Sequence, residues 1–116
     1  MHATLRRLHS PDVSDLRSYH PRVENDFNVL VQAMIGPADS VGEESFDFTV
    51  QWDENAERPK WLGSRLFLKQ FDYPTVLREV ERLCTQAEGS DWQQVAAKLG
   101  RQLRWEFEGY SPYQTD

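Results

Sequence analysis

Five carboxylates are the residues best suited to acid–base chemistry in this sequence: Glu43, Glu44, Asp47, Glu106 and Glu108. Two carboxyl groups act as general acid and general base only when they face one another across a cleft. The first three lie close together in sequence and could also supply the oxygen ligands that divalent cations prefer. Their spacing does not by itself place them across a cleft. A solvated acidic surface is therefore the simpler interpretation, and a carboxylate-based, metal-dependent enzyme is the least favoured function.

The other reactive residue types form no recognisable catalytic or metal-binding pattern. His2, His9 and His20 lack the i, i+4 pairing and the cysteine partners that are typical of zinc sites. Cys84 lies within an apolar helical stripe, where a small core residue is expected rather than a nucleophile. The six glycines are scattered singly, so no phosphate-binding loop is indicated. We therefore expect no catalytic residue, no metal and no cofactor.

The charge balance favours a protein partner. The chain has 13 basic and 19 acidic residues, a formal net charge of −6, which opposes binding to nucleic acid and suits a basic protein. A single cysteine allows no internal disulfide. The first residues lack the apolar stretch of a signal peptide, and no run approaches the about 18 residues of a membrane span. We expect one domain over residues 1–116, in the cytoplasm, with no membrane contact.

Hydrophobic periodicity predicts strands followed by helices. Alternation of apolar and polar residues predicts strands at 2–9, 27–35, 45–53 and 65–71, separated by turn-rich segments. Lys60 to Gly63 is interpreted as a helical turn. Helical spacing then predicts one helix that begins at Tyr73, with Asp72 as its N-cap, and is stopped by Gly89. A second helix is predicted to begin with a capping box from Ser90 to Gln93.

This order predicts the fold class. Strands that precede adjacent helices indicate an α+β domain with a mainly antiparallel sheet of about four to five strands and two C-terminal helices packed on one face.

Strand alternation also indicates an acidic surface. Glu43, Asp47 and Asp53 fall on the face opposite Phe46 and Phe48. If the C-terminal segment is extended, Trp105 and Phe107 point inward, and Glu106, Glu108 and Tyr110 point outward. Carboxylates steer a basic protein and aromatic side chains anchor it, although exposed strand acids also blunt sheet edges. The candidate contact residues are Glu43, Asp47, Asp53, Glu54, Glu57, Trp61, Glu106, Glu108 and Tyr110.

Several sequence strings carry a family resemblance. They are Leu-His-Ser-Pro-Asp at 8–12, Gln-Ala-Met-Ile-Gly-Pro at 32–37, Gly-Glu-Glu-Ser-Phe-Asp-Phe at 42–48, Pro-x-Trp-Leu at 59–62 and Trp-Glu-Phe-Glu-Gly-Tyr at 105–110. Together, and in this order, they resemble the immunity protein 8 family over most of the chain.

The resemblance implies an immunity protein. Members of that family are found beside toxin genes in bacterial polymorphic toxin and contact-dependent inhibition systems, and are taken to neutralise the adjacent toxin. It implies an α+β fold without a cofactor and, as partner, the C-terminal domain of a cognate toxin, for which a basic nuclease is one candidate. The charged stretch from Gln51 to Arg58 looks longer than expected for the family, so partner specificity is expected there. A non-enzymatic adaptor or oligomer-forming module remains the alternative, since Leu30, Met34 and Trp61 could be exposed.

Overall fold

The long strands are built by the alternation of apolar and polar residues. The computed structural model describes residues 1–107, which form strands β1 (Ala3–His9), β2 (Asn28–Pro37), β3 (Glu44–Trp52), β4 (Lys60–Leu62), β5 (Arg65–Leu68) and β6 (Arg104–Trp105). Helices α1 (Tyr73–Gln86) and α2 (Trp92–Leu99) lie between β5 and β6 in the chain. Neither helix of the described part is long and apolar enough to cross a membrane.

The six strands form one mixed sheet. Its order is β1-β2-β3-β5-β4, and β6 pairs with the first part of β3 on the side that β5 occupies further along. The β1–β2, β2–β3, β4–β5 and β3–β6 pairs are antiparallel, whereas β3 and β5 are parallel. The predicted α+β class is confirmed. The sheet is larger than expected, because 60–62 and 104–105 each add a short strand.

One face of the sheet forms the hydrophobic core. Ile35, Phe46 and Val50 are fully buried there. Both helices pack on this face, and they contribute buried residues to the same cluster: Val76, Val80, Cys84, Val95, Ala96 and Leu99. Each large apolar side chain removed from water stabilises the fold by roughly 1.5–3 kcal/mol. The core therefore fixes which side of every strand faces outward.

The opposite face carries no helix within residues 1–107, and we call it the open face. The strand register brings together on it Arg7, Asn28, Leu30, Gln32, Met34, Ser45, Asp47, Thr49, Gln51, Lys60, Leu62, Arg65, Phe67 and Arg104. Side-chain hydrogen bonds between residues two apart confirm the orientation. Ser45 Oγ donates to Asp47 Oδ1 at 2.8 Å, and Gln51 Nε2 donates to Thr49 Oγ1 at 3.2 Å.

Residues 60–62 form a strand, so the predicted helical turn was wrong. Leu62 pairs with Arg65 across the two-residue loop Gly63-Ser64, and Gly63 has a φ of 56°. A glycine with positive φ in the first loop position suits a tight hairpin. The short segment lacks a helical or strand period of its own, and pairing with β5 decides its conformation.

The helix termini differ by a few residues from those expected. Asp72 caps α1 as predicted, accepting from the Thr75 N–H at 3.1 Å. The α2 cap is Asp91 rather than Ser90, because Asp91 Oδ1 accepts from the Gln94 N–H at 2.9 Å. Helix α1 ends at Gln86, three residues before Gly89.

The C-terminal strand is shorter than predicted. Trp105 is buried, but β6 ends there, and Phe107 is 39% exposed instead of pointing inward. The Glu106 N–H still donates to the Ser45 carbonyl oxygen at 3.1 Å, but the strand geometry has ended there, so the inward–outward alternation does not continue to Phe107. Glu108 and Tyr110 lie outside the described residues.

Candidate partner-binding surface

Three loops meet at one end of the sheet, and we call residues 10–27, 53–59 and 69–72 the loop end. The first residue of β2 pairs near the last residues of β3, so the loop before β2 and the loop after β3 lie together. Because β5 is parallel to β3, the segment after β5 emerges at the same end. The charged 53–59 stretch therefore lies next to two other loops, 10–27 and 69–72.

The loop end concentrates negative charge. Its three segments contain eight acidic and four basic residues. The acidic residues are Asp12, Asp15, Glu24, Asp26, Asp53, Glu54, Glu57 and Asp72, and the basic residues are Arg17, Arg22, Arg58 and Lys69. A cluster of like charge on adjacent loops creates a potential that attracts a basic partner and accelerates encounter.

About half of these acids hold the loops in shape. The Leu30 N–H donates to Asp12 Oδ2 at 3.0 Å. The Asn55 N–H donates to Asp53 Oδ1 at 2.9 Å, which tightens the 53–59 turn. Asp15 and Asp72 likewise accept from backbone N–H groups. Removing any of these carboxylates would therefore change loop structure as well as charge.

Three other acids are available for a partner. Within residues 1–107, Glu24, Asp26 and Glu54 form no ion pair and their side chains accept no hydrogen bond, and all three are exposed. Glu57 is exposed and lies 3.5 Å from Lys69, a distance typical of a weak surface ion pair. An open groove lined by Glu24, Asn25, Trp52, Glu54, Lys69 and Gln70 runs between the loops. The groove has carboxylates on two of its walls.

The predicted acidic row on β3 is divided by its neighbours. Asp47 lies on the open face between Gln32 and Arg104, its register partners on β2 and β6. Glu43 forms an ion pair of 2.8 Å with Arg7. Because basic side chains of adjacent strands accompany both acids, the open face is not a uniform negative surface.

Glu106 lies at the opposite end of the sheet from the loop end. Its Oε1 accepts from the Ser45 N–H at 2.6 Å, at the start of β3. Asp53, Glu54 and Glu57 are therefore brought together, whereas Glu43 and Glu106 are separated from them by the length of β3.

Two further residues considered from the sequence have structural contacts. The Trp61 ring lies 5.3 Å from the Phe48 ring, and its Nε1 donates to Glu79 Oε1 at 2.8 Å. Glu44 accepts from Trp92 Nε1 at 2.9 Å and from Trp105 Nε1 at 2.6 Å. Glu44 therefore lies on the core side, and Asp47 points to the open face. The two carboxylates do not face one another across a cleft.

The remaining reactive groups are consistent with a structural role. Cys84 is 4% exposed, and burial, followed by the negative charge of Glu81, raises the pKa of its thiol to about 12. Such a thiol is almost entirely protonated at neutral pH, and the thiolate is the nucleophile. No group of three or more His, Cys, Asp or Glu residues within 1–107 is arranged to hold a metal ion.

Sequence reasoning missed Glu24 and Asp26 as members of the acidic surface. Their loop was interpreted only as a connection, because its contribution depends on β2 pairing antiparallel to β3. The available signal was the density of acids in 10–27, four in eighteen residues.

Comparison with known proteins gives one finding. The family model described as immunity protein 8 matches residues 3–110 of the 116. No curated protein and no solved structure matches the chain. Because the match spans nearly the whole sequence, including each strand and helix of the described residues, the chain belongs to the immunity protein 8 family.

Proposed function

We propose that this protein is a stoichiometric, non-enzymatic inhibitor that binds the C-terminal domain of a cognate bacterial toxin in the cytoplasm and blocks it. Membership of the immunity protein 8 family is the observation that carries this proposal. The α+β fold supplies a rigid sheet that holds several loops at one end, an arrangement commonly used for binding.

The loop end is the surface that we propose for the toxin contact. It combines the carboxylates of Glu24, Asp26 and Glu54, which form no ion pair within residues 1–107, with a groove between the loops. A toxin that acts on nucleic acid has a basic surface, and carboxylates placed there occupy the position of phosphates. Asp53 and Glu57 belong to the same surface, so the specificity residues proposed from the sequence are retained there.

The first experiment is a calorimetric titration of the protein with the purified toxin domain encoded beside its gene, at two salt concentrations. We expect one-to-one binding that weakens as salt rises, because exposed charges are screened over about 8–10 Å at physiological ionic strength. Absence of binding at micromolar concentrations would overturn the proposed function.

Two charge reversals then locate the contact. Glu54→Lys changes a loop-end acid, and Asp39→Lys makes the same change in the exposed loop between β2 and β3, at the other end of the sheet. We expect Glu54→Lys to weaken binding at least tenfold, since close charge pairs across interfaces contribute about 1.5 kcal/mol or more. Asp39→Lys is expected to change affinity less than about threefold, as a remote charge affects mainly the association rate. Equal effects of the two reversals would exclude the loop end as the contact.

A further inference from the structure

The open face is continuous with the loop end. The row of its side chains nearest to the loop end consists of Asn28, Gln51, Phe67 and Lys60, which are adjacent in register across β2, β3, β5 and β4. The next row contains Leu30, Thr49, Arg65 and Leu62. Lys60 directly follows the 53–59 loop and Gln51 lies two residues before it, so no boundary separates the two surfaces.

Apolar side chains are presented at this junction. Leu62 is 60% exposed, although it lies within a strand, and Phe67 and Leu30 are half-buried on a face that no described helix covers. Clustered apolar groups beside polar ones are typical of interface centres, where anchors are desolvated. This part of the surface therefore differs in chemistry from the acidic loops beside it.

The charge of the open face is opposite to that of the whole chain. Arg7, Lys60, Arg65 and Arg104 lie on it with two acids, Asp47 and Glu43, of which Glu43 is paired with Arg7, although the chain has a net charge of −6. Lys60 and Arg65 are cross-strand neighbours of Phe67 and Leu62. The apolar group is thus bordered by cations, whereas the loop end is bordered by carboxylates.

A second copy of this chain is a poor occupant for this face. A two-fold symmetric contact places the same patch of each copy against the other. The basic patch of Lys60 and Arg65 would then face the same basic patch of the other copy, and like charges brought together across an interface cost several kcal/mol. The charge pattern instead fits a different protein that presents apolar and acidic side chains.

We infer that the cognate toxin domain extends from the loop end onto the open face, and that it meets Leu62, Arg65 and Phe67 with an apolar segment bordered by acidic residues. This inference rests on the proposed function and adds the chemistry of the second half of the contact. The toxin partner then presents two surfaces of opposite charge, a basic one to the loops and an acidic, apolar one to the sheet. A contact with two regions of opposite charge fixes the orientation of the toxin domain on this protein, whereas uniform acid–base attraction does not.

For a change at Arg65, the inferred contact and simple acid–base attraction predict opposite effects on toxin affinity. Arg65→Glu makes the protein more acidic, so uniform attraction to a basic toxin would strengthen binding. We expect it to weaken binding at least tenfold in the calorimetric titration with the toxin domain. Arg101→Glu makes the same charge change at an exposed position after α2, away from the open face, and is expected to leave affinity within about threefold.

A second pair of variants tests the apolar part. Leu62→Ser is expected to weaken toxin binding at least fivefold, and Val41→Ser, which alters a 96% exposed valine in the β2–β3 loop, is the control with no expected effect. Circular dichroism and urea midpoints of all four variants must match those of the wild-type protein.

The outcomes are distinguishable. If the wild-type protein does not bind the toxin domain, the proposed function fails, and the inference fails with it. If the wild type binds but Arg65→Glu and Leu62→Ser bind equally well or more tightly, the inference is wrong and the loop-end contact stands. A wild-type dimer in sedimentation analysis that Leu62→Ser dissociates would assign the face to a second copy and also overturn the inference.

Discussion

Glu44 stabilises the domain through two tryptophans, and its replacement by glutamine tests this role. One carboxylate accepts from the indole N–H of Trp92 on α2 and from that of Trp105 on β6, at 2.9 and 2.6 Å. It thereby ties the second helix and the last described strand to the start of β3. Glu44→Gln retains one side-chain oxygen and replaces the other with an amide nitrogen, which is a donor and cannot accept.

The expected loss of stability follows from these contacts. One indole N–H loses its acceptor, and a hydrogen bond to a charged group contributes about 1.5–3 kcal/mol. The other indole keeps a neutral acceptor and loses about 1 kcal/mol at most. We expect Glu44→Gln to reduce the free energy of unfolding by about 2–4 kcal/mol, a substantial part of the roughly 5–15 kcal/mol typical of a domain.

This loss is measured by urea denaturation, with unfolding monitored by tryptophan fluorescence and by far-ultraviolet circular dichroism. Glu43→Gln is the matched control, because it makes the same chemical change one residue earlier. Among the described residues, Glu43 makes a single surface ion pair, with Arg7, so the control should lose less than about 1 kcal/mol. Equal stability of Glu44→Gln and wild type, with unchanged denaturant dependence, would refute the role assigned to Glu44.

Three further predictions concern stability. Gly36→Ala should lower the free energy of unfolding in urea by at least about 1–3 kcal/mol, because an added Cβ would lie 1.9 Å from the Gly42 carbonyl oxygen. Gly100→Ala is the control and should be neutral or stabilising, because Gly100 has a helical φ of −65° and its added Cβ would make only ordinary contacts. Because the pKa of Cys84 is raised from 9.0 to about 12 in the folded state, its thiol stabilises the fold below pH 9, and this contribution is lost as pH rises toward 12. Wild type should therefore lose more stability than Cys84→Ala between pH 8 and pH 10.5, and parallel pH profiles would contradict the assignment. Asp72→Ala should lower the free energy of unfolding by about 1 kcal/mol, because it removes the α1 N-cap. Asp72→Asn and Asp72→Ser should retain most of the wild-type stability in thermal unfolding, because both side chains can cap a helix.

The elements with strong periodicity could be predicted from sequence. The apolar residues of β2 and β3 alternate over most of their lengths, and the α1 stripe has helical spacing, so their types were correct. Residues 60–62 and 104–105 were the difficult segments. A strand of three or two residues has no period to detect, and only its pairing with β5 or β3 stabilises it.

The location of the acidic surface depended on topology rather than on local pattern. Asp53, Glu54 and Glu57 were identified because they are adjacent in sequence. Glu24 and Asp26 lie about thirty residues earlier and join them through the β2–β3 register. The Arg104 neighbour of Asp47 is separated from it by more than fifty residues, so the sequence could not show that the row of acids on β3 is interrupted.

The 42–48 family string and the proposed loop contacts occupy different parts of the fold. Within the 42–48 string, Glu44 binds two tryptophans, and Phe46 and Phe48 are buried in the core. Glu24 and Glu54 instead lie on exposed loops and make no interaction within the described residues. Substitution of Glu24 or Glu54 should change toxin affinity and leave the urea midpoint unchanged. Substitution of Glu44 should lower the urea midpoint and leave toxin affinity unchanged. This separation would let one scaffold accept different loop sequences, and therefore different toxins, without loss of stability.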